Sequence, residues 1–458
     1  MAQTTSIPKG TRDFSPLQMR RRQYIFETIR KVFALHAYLP IETPAMESLS
    51  TLMGKYGEEG DKLLFKILNS GDFWAKAAGT PWDEADPSDR SVKLANKISE
   101  KGLRYDLTVP FARYVVQHRG DLTLPFKRYQ MQPVWRADRP QRGRYREFYQ
   151  CDADVVGSTS LWQEAELAQM VAEVFKALRI PVTLKINNRK ILAGLAEYVG
   201  CPGKMVDITV AIDKLDKIGL AAVEAEMAEK GVAGEAWEKL APVLTLTGSF
   251  TEKMAYMRQL FAQVPVGLQG VAELEELFGY IAQSVEELDY EWDLSLARGL
   301  NYYTGAIFEV KAQGVEMGSI SGGGRYDDLT GIFGMKGLSG VGISFGADRI
   351  YDVLESLERF PDDLQSGQAV LFVHFGAEEA GQVQAAMRAL RTAGIACDRY
   401  PEPAKLQKQF TYADKLRIPY VVMVGERERE SGRFAVKDMR SGEQRDMDLN
   451  ELMALCKP

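Results

Sequence analysis

Cysteine and histidine are both scarce in this sequence. Four cysteines are spread over 458 residues, and no pair shows the two-residue spacing of a zinc-binding or redox motif. This distribution predicts reduced thiols in a reducing compartment and excludes a disulfide framework. The three histidines, His36, His118 and His374, also lack metal-ligand spacing. We therefore predict that the protein builds no metal site of its own.

Long apolar runs are absent as well. No run reaches the roughly 18 residues that a membrane-spanning helix needs, and residues 1–12 lack the apolar centre of a signal peptide. The sequence therefore predicts a cytoplasmic protein without membrane association, large enough for about three domains. Its net charge of -6 excludes a generally basic protein that coats nucleic acid, but local basic patches remain possible.

A segment rich in arginine stands out against this acidic background. Residues 136–146 hold five arginines and one aspartate, a local charge of +4. Pro140 and Gly143 lie within the segment, and its flanks alternate as strands do, so we expect a turn between two strands. Guanidinium groups match phosphate and carboxylate oxygens in pairs. The segment predicts either an anion site, which could also hold a nucleic-acid end, or a solvated basic loop.

Helical and extended patterns follow one another along the first 360 residues. The periodicity of apolar residues and the positions of proline indicate the type of each segment. The predicted segments are a helix over 15–36, an extended stretch over 39–44, a polar connection over 71–100, strands with the arginine-rich turn over 103–155, a helix over 161–178, a strand over 182–186, a helical region over 190–288 and a strand over 307–310.

Glycine is concentrated in residues 314–346, which contain eleven glycines. Such a stretch makes tight turns or lets the backbone approach a ligand. It contains neither the GxxxxGK[ST] pattern of a P-loop nor a GxGxxG pattern between a strand and a helix. Two common nucleotide-binding loops are therefore excluded.

The pattern changes near residue 360. Residues 361–368 have the composition of a linker, and residues 369–458 alternate regularly between strand and helix. This alternation predicts a compact α/β unit. The predicted strands are 369–375, 395–400, 420–424 and 433–438, and the predicted helices are 377–393, 404–417 and 448–456.

Two peptides are similar to the signature peptides of the histidyl-tRNA synthetase family. They are ARGLNYYTG at 297–305 and SGGGRYD at 321–327, and KGTRDF at 9–14 and LRYDLTVP at 103–110 also match that family. The arginine-rich segment resembles motif 2 of class II aminoacyl-tRNA synthetases, Gly342–Ile350 resembles motif 3, and Pro44 resembles the motif 1 proline. One departure is Asn301, where the family usually has aspartate, so a charge is lost there.

The resemblance implies a fold and a domain organisation. The expected fold is an α+β catalytic domain with a mostly antiparallel sheet, followed by an α/β anticodon-binding domain. The catalytic domain would span 1–360 with a helical insertion at 190–288, and the anticodon-binding domain would span 369–458. A homodimer with Pro44 near its two-fold axis is also implied.

The resemblance further implies ATP-dependent ligation of L-histidine to tRNA(His) through a histidyl-adenylate, with Mg2+. Arg298 and Arg136 would be catalytic, because both approach the α-phosphate. Five residues would bind ATP, with Phe148 stacked on the adenine: Arg136, Asp138, Arg144, Phe148 and Arg349.

Recognition of histidine and tRNA is implied at further positions. Gln141 and Arg142 would meet the acceptor end of the tRNA. Asp154 and a tyrosine would bracket the ring nitrogens of histidine. The residues implied to bind histidine are Asp106, Thr108, Gln150, Asp154, Arg298, Tyr303 and Tyr326.

Three alternatives remain open at this point. The main one is a non-catalytic relative of the catalytic domain that senses histidine and regulates its biosynthesis. Such proteins lack the anticodon-binding domain and tend to lose the ATP-binding arginines. The others are a synthetase for another amino acid, such as threonine or proline, and a module that only binds RNA.

Overall fold

The computed structural model describes residues 5–54, 63–75, 77–78, 87–297 and 302–456. The chain divides into two compact units. The first comprises Met1–Arg12 and Arg22–Arg359, and the second comprises Asp13–Arg21 and Phe360–Pro458. Every described helix is too short or too polar to span a lipid bilayer.

The first unit is built on an eight-stranded sheet with the strand order β1-β5-β6-β11-β10-β9-β7-β8. All neighbours from β5 to β7 in this order are antiparallel, whereas the edge strands β1 and β8 pair in parallel. A small sheet has the order β2-β4-β3. The strands are β1 (Leu39–Pro40), β2 (Met46–Ser48), β3 (Lys66–Ile67), β4 (Lys101–Leu103), β5 (Phe126–Trp135), β6 (Glu147–Val156), β7 (Val182–Asn188), β8 (Asp289–Trp292), β9 (Ala306–Ala312), β10 (Ser321–Tyr326) and β11 (Gly340–Gly346). The expected mostly antiparallel sheet is confirmed.

One face of the large sheet is apolar and is covered by two helices. Side chains alternate between the faces of a strand, so Tyr129 of β5 and Phe345 of β11 point away from the polar residues beside them. Phe33 packs on both rings, with centroids 5.5 Å and 5.8 Å away, and Phe175 packs on Phe345 at 5.8 Å. These contacts place the helices Pro16–Leu35 and Trp162–Ala177 on this face and leave the opposite face for polar side chains.

The remaining helices of the first unit confirm one prediction and correct another. Residues 190–288 are helical as expected, but the predicted polar connection over 71–100 was wrong, because it contains the helix Pro87–Ile98. Pro87 stands at the first helical position, where a missing N–H costs nothing. The further helices are Leu49–Leu52, Thr108–Gln117, Arg189–Tyr198, Met205–Ile212, Leu215–Ile218, Leu220–Glu229, Glu235–Leu244, Phe250–Leu260, Pro265–Ser284 and Ala347–Ser356, with 3-10 turns at Pro202–Lys204 and Leu329–Phe333.

The second unit has its own five-stranded sheet, in the order β13-β12-β14-β15-β16. Its strands are β12 (Val370–Phe372), β13 (Cys397–Arg399), β14 (Tyr420–Met423), β15 (Phe434–Asp438) and β16 (Gln444–Met447). Its helices are Ala380–Thr392, Leu406–Lys415, Glu426–Ser431 and Leu449–Cys456, with a 3-10 turn at Asp362–Gln365. Separate apolar clusters lie around Phe372 and around Val421, so the sheet has a core on each face. The predicted α/β alternation is confirmed, and β16 and the helix Glu426–Ser431 were missed.

Candidate active site

A cavity of about 460 Å³ opens on the polar face of the large sheet. Strands β6, β10 and β11 form its floor, and the turn between β5 and β6 contributes to its wall. Most residues that the sequence predicted for ATP and histidine line this one cavity: Asp106, Thr108, Arg136, Asp138, Arg144, Phe148, Gln150, Asp154, Tyr303, Tyr326 and Arg349.

Asp154 lies at the buried end of the cavity and is held by two neighbours. Its Oδ2 atom lies 2.7 Å from Nη2 of Arg128, and its Oδ1 atom accepts a hydrogen bond of 2.6 Å from the hydroxyl of Tyr326. Burial raises the pKa of Asp154, and the charge of Arg128 opposes this shift. The two groups expected to bracket a ring, Asp154 and a tyrosine, are thus bonded to each other.

Three buried oxygens in this cavity have neither a hydrogen-bond partner nor an ion-pair partner among the described residues. They are Oδ2 of Asp106, Oε1 of Gln150 and Oδ1 of Asp152. Burial raises the pKa of Asp106 and of Asp152 to about 7, against the charges of Arg136 and Arg128 respectively. Buried acceptors are almost always paired, so this end of the cavity is suited to a ligand that carries several N–H donors.

Three arginines line the other end of the cavity. Nε of Arg136 donates to the carbonyl of Tyr105 at 2.9 Å, and its guanidinium lies 5.2 Å from the ring centroid of Phe148. Arg349 donates to two backbone carbonyls, at 2.7 Å and 2.6 Å. Arg144 lies 3.8 Å from Asp138, and its side chain is 49% exposed. Three guanidinium groups around an open cavity suit an anion with several oxygens.

The N-terminal segment supports this arginine-rich wall. Asp348, which precedes Arg349, forms ion pairs with Arg12 and Arg22 and accepts a 2.8 Å hydrogen bond from the backbone N–H of Tyr149. Arg12 also lies over the ring of Tyr145, 3.3 Å from its centroid. These contacts fix the start of the helix Ala347–Ser356 against β6 and the end of the arginine-rich turn.

The glycines of β11 make room for the buried side chains. A Cβ atom on Gly342 would lie 2.0 Å from Oδ1 of Asp154, and one on Gly340 would lie 2.3 Å from the ring of Tyr326. Tyr303 is buried, and its hydroxyl accepts a 3.3 Å hydrogen bond from Tyr302. The glycine-rich stretch therefore admits side chains and a ligand to the surface of the sheet.

Two residues singled out in the arginine-rich turn are not among the described residues that line the cavity. Gln141 and Arg142 lie in the turn between β5 and β6, where Gln141 pairs with Arg144 and Arg142 donates to the hydroxyl of Ser356 at 2.6 Å. Arg298 and Asn301 lie outside the described residues.

Sequence reasoning missed Arg128 and Asp152. A pattern that could have found them is the alternation of polar residues in both strands. On β5 these are Arg128, Gln130 and Gln132, and the register pairs them with Asp154, Asp152 and Gln150 of β6. One face of the strand pair is therefore polar throughout.

Comparisons with known proteins show which family this chain resembles. A model of the histidyl-tRNA synthetase family matches residues 83–350, and a model of the anticodon binding domain matches residues 369–457. The chain belongs to the histidyl-tRNA synthetase family. Histidine--tRNA ligases of Bacteroides fragilis (strain YCH46) and Phocaeicola vulgatus are 58% and 57% identical to it, each over 100% of both chains. The crystal structure of histidyl-tRNA synthetase from Nostoc sp. PCC 7120 covers 99% of each chain, with 31% identity and a TM-score of 0.83.

Membership of the histidyl-tRNA synthetase family decides among the alternatives. The relatives match along the whole chain, including the part that the anticodon-binding model covers. A regulatory relative without that domain does not fit this match. The chain is therefore an aminoacyl-tRNA synthetase and not a histidine-sensing regulator.

Proposed function

We propose that this chain ligates L-histidine to tRNA(His) in two steps. The carboxylate of histidine attacks the α-phosphorus of ATP and releases pyrophosphate, and the terminal ribose of the tRNA then takes the histidyl group. The observation that carries the proposal is the division of one cavity into an end with three arginines and an end with buried acceptor oxygens. The first suits a triphosphate, and the second suits the cationic amine and ring N–H of histidine.

At the histidine end, the side chains supply polar partners and exclude water. Asp106, Thr108, Gln150, Tyr303 and Tyr326 surround the amino acid, and Asp154 is held rigidly by Arg128. An analogue without the matching N–H groups would leave buried acceptors unpaired, at about 1–3 kcal/mol each.

At the ATP end, catalysis depends on positioning the substrates and on positive charges that stabilise the negative charge developing on the phosphate oxygens in the transition state. Arg136 faces the α-phosphate, and Arg349 lies against the triphosphate and the adenine. Arg144, which is ion-paired with Asp138, reaches the outer phosphates, and Phe148 stacks on the adenine. Arg298, from the family signature peptide, is assigned to the α-phosphate and the histidine carboxylate. The described residues hold no cluster of three acidic, histidine or cysteine ligands, so Mg2+ would bind through the phosphate oxygens of ATP and add further positive charge.

Recognition of tRNA is assigned to two places. Gln141 and Arg142, in the turn beside the cavity, would meet the acceptor end. The unit over 369–458 is assigned as the anticodon-binding domain, joined by the linker 361–368 to the catalytic domain over 1–360. Its helix Leu406–Lys415 and the residues beside it carry Lys405, Lys408, Lys415 and Arg417 against Asp414, which gives a local charge of +3.

A cytoplasmic homodimer completes the proposal. The edge strand β1 and the segment that follows it, with Pro44, present apolar side chains to solvent. Leu39 is 57% exposed and Met46 is 54% exposed. Symmetric dimers are the commonest soluble oligomers. Sedimentation at micromolar concentration should give twice the mass of 51.2 kDa, and a stable monomer would contradict the dimer.

One assay tests the activity itself. Pyrophosphate exchange is measured with each amino acid in turn, in the presence of ATP and Mg2+. We expect exchange with histidine and none with threonine or proline. Exchange with no amino acid would contradict the proposed function.

A further inference from the structure

Strand β6 presents Gln150, Asp152 and Asp154 to the cavity at alternate positions. Asp154 already has a partner at each oxygen, namely Arg128 and Tyr326. Asp152 has none at Oδ1, although its side chain is almost completely buried. Nearby, Nε2 of Gln150 donates to Ser344 at 2.9 Å, which leaves Oε1 of that amide as an acceptor.

The available acceptors match one group of the substrate. With Oδ2 of Asp106, the described part of the cavity offers three buried oxygens that have neither a hydrogen-bond nor an ion-pair partner, and an ammonium group has three N–H donors. At neutral pH the α-ammonium is the cationic group of free histidine, because the imidazole is mostly neutral. A cation offsets the free-energy cost of burying an ionised carboxylate, whereas a neutral ring does not.

We propose that Asp152 accepts a hydrogen bond from the α-ammonium group of the bound histidine, beside Asp106 and Gln150. Asp152 thereby becomes a further specificity-determining residue, which selects substrates that carry the amine. This inference rests on the proposed function and deepens it.

The charges around Asp152 are consistent with this role. The groups that face it are Arg128 of β5, Asp154 of β6, Ser344 of β11 and Asp106, which precedes the helix Thr108–Gln117. Burial raises its pKa to about 7, and the two other carboxylates add to the shift. Since Arg128 is paired with Asp154, an ammonium would supply the missing positive charge and favour the ionised carboxylate.

The test compares the substrate with its analogue that lacks the amine. Binding of L-histidine and of 3-(imidazol-4-yl)propanoate is measured for the wild type, for Asp152→Asn and for Asp121→Asn, a control whose carboxylate is 84% exposed. Asp152→Asn should weaken L-histidine binding about tenfold or more, because a charged hydrogen bond is lost. The analogue should bind all three proteins within about twofold of one another. Equal losses for both ligands, or no loss for L-histidine, would overturn the inference.

A second measurement uses proton release and does not depend on relative affinities. Calorimetry in buffers of different ionisation enthalpy counts the protons released at pH 7. The wild type and Asp121→Asn should release a fraction of a proton on binding histidine, because a bound ammonium lowers the pKa of Asp152. Asp152→Asn should release less, and an unchanged release in this variant would overturn the inference. Histidine-dependent pyrophosphate exchange by the wild type tests the proposed function separately. A failure of that function can therefore be distinguished from a failure of the inference about Asp152.

Discussion

The hydroxyl of Tyr326 on β10 bonds to Asp154 on β6 over the intervening strand β11. The register places Gly340 opposite Tyr326 and Gly342 opposite Asp154. Because neither glycine has a side chain, the phenol and the carboxylate meet above β11. The bond between Tyr326 and Asp154 at the buried end of the cavity therefore depends on two residues that have no side chain.

Gly342→Ala should disrupt this arrangement. The added methyl would lie 2.0 Å from Oδ1 of Asp154, so the carboxylate has to move. A displacement of this size at a reacting site reduces activity by about 100-fold, and we expect that loss in histidine-dependent pyrophosphate exchange.

The matched control is Gly279→Ala. Gly279 lies in the helix Pro265–Ser284, and a Cβ there would meet no atom within 4 Å. Alanine in a helix is more favourable than glycine, so the variant should gain about 0.5–1 kcal/mol in unfolding free energy and keep its exchange activity. Similar activity of the two variants would contradict the role given to Gly342.

Asp152→Asn should make the protein more stable at alkaline pH. The pKa of Asp152 is raised from 3.8 to about 7, so the folded protein favours the protonated acid. Ionising Asp152 in the folded protein lowers the free energy of unfolding. This loss is absent below pH 4, grows as the pH rises towards 7, and is constant above that. The advantage of the asparagine variant should follow the same course and reach about 4 kcal/mol, because each unit of pKa corresponds to about 1.4 kcal/mol. Urea unfolding at pH 5 and pH 8 measures it, and an equal difference at both pH values would contradict the assignment.

Arg298→Ala should abolish most of the histidine-dependent exchange. The residue is assigned to the α-phosphate, where charge develops in the transition state, so we expect a loss of about 100-fold or more. Histidine affinity should change by no more than about tenfold. Calorimetry of histidine binding and the exchange rate separate the two effects, and near-normal exchange in the variant would refute the assigned role.

Truncation after Gln365 should separate activation from charging. The residues assigned to adenylate formation lie before position 350, and the unit after residue 369 has its own core. The fragment should keep exchange within about threefold and charge tRNA about tenfold less well. Charging by the full chain should also fall more steeply with salt than exchange does. Equal charging by the fragment and the full chain would mean that the second unit does not bind tRNA.

Much of this fold could be predicted from the sequence, because helices and strands have distinct apolar periods. The helix Pro16–Leu35 and strands β5 and β6 were predicted closely for this reason. Strand β16 was missed because Gln444–Met447 is polar and lies at the edge of its sheet, with no buried face to set an alternating pattern.

The cavity was predictable only in part. Motif resemblance supplied Arg136 and Asp154, but it said nothing of the bond between Asp154 and Tyr326, which depends on the pairing of three strands. Asp152 was missed for another reason. A carboxylate in a strand is usually solvent-exposed, and its burial follows from the register with β5 and β11.

The ion pairs of Arg12 and Arg22 with Asp348 join residues separated by more than 300 positions in the chain. Proteins are synthesised from the N-terminus, so both arginines leave the ribosome long before their partner. The N-terminal segment cannot take its place beside the arginine-rich turn until nearly the whole first unit has been made. Assembly of the arginine-rich wall is therefore a late event in folding, and a chain interrupted before Asp348 lacks it.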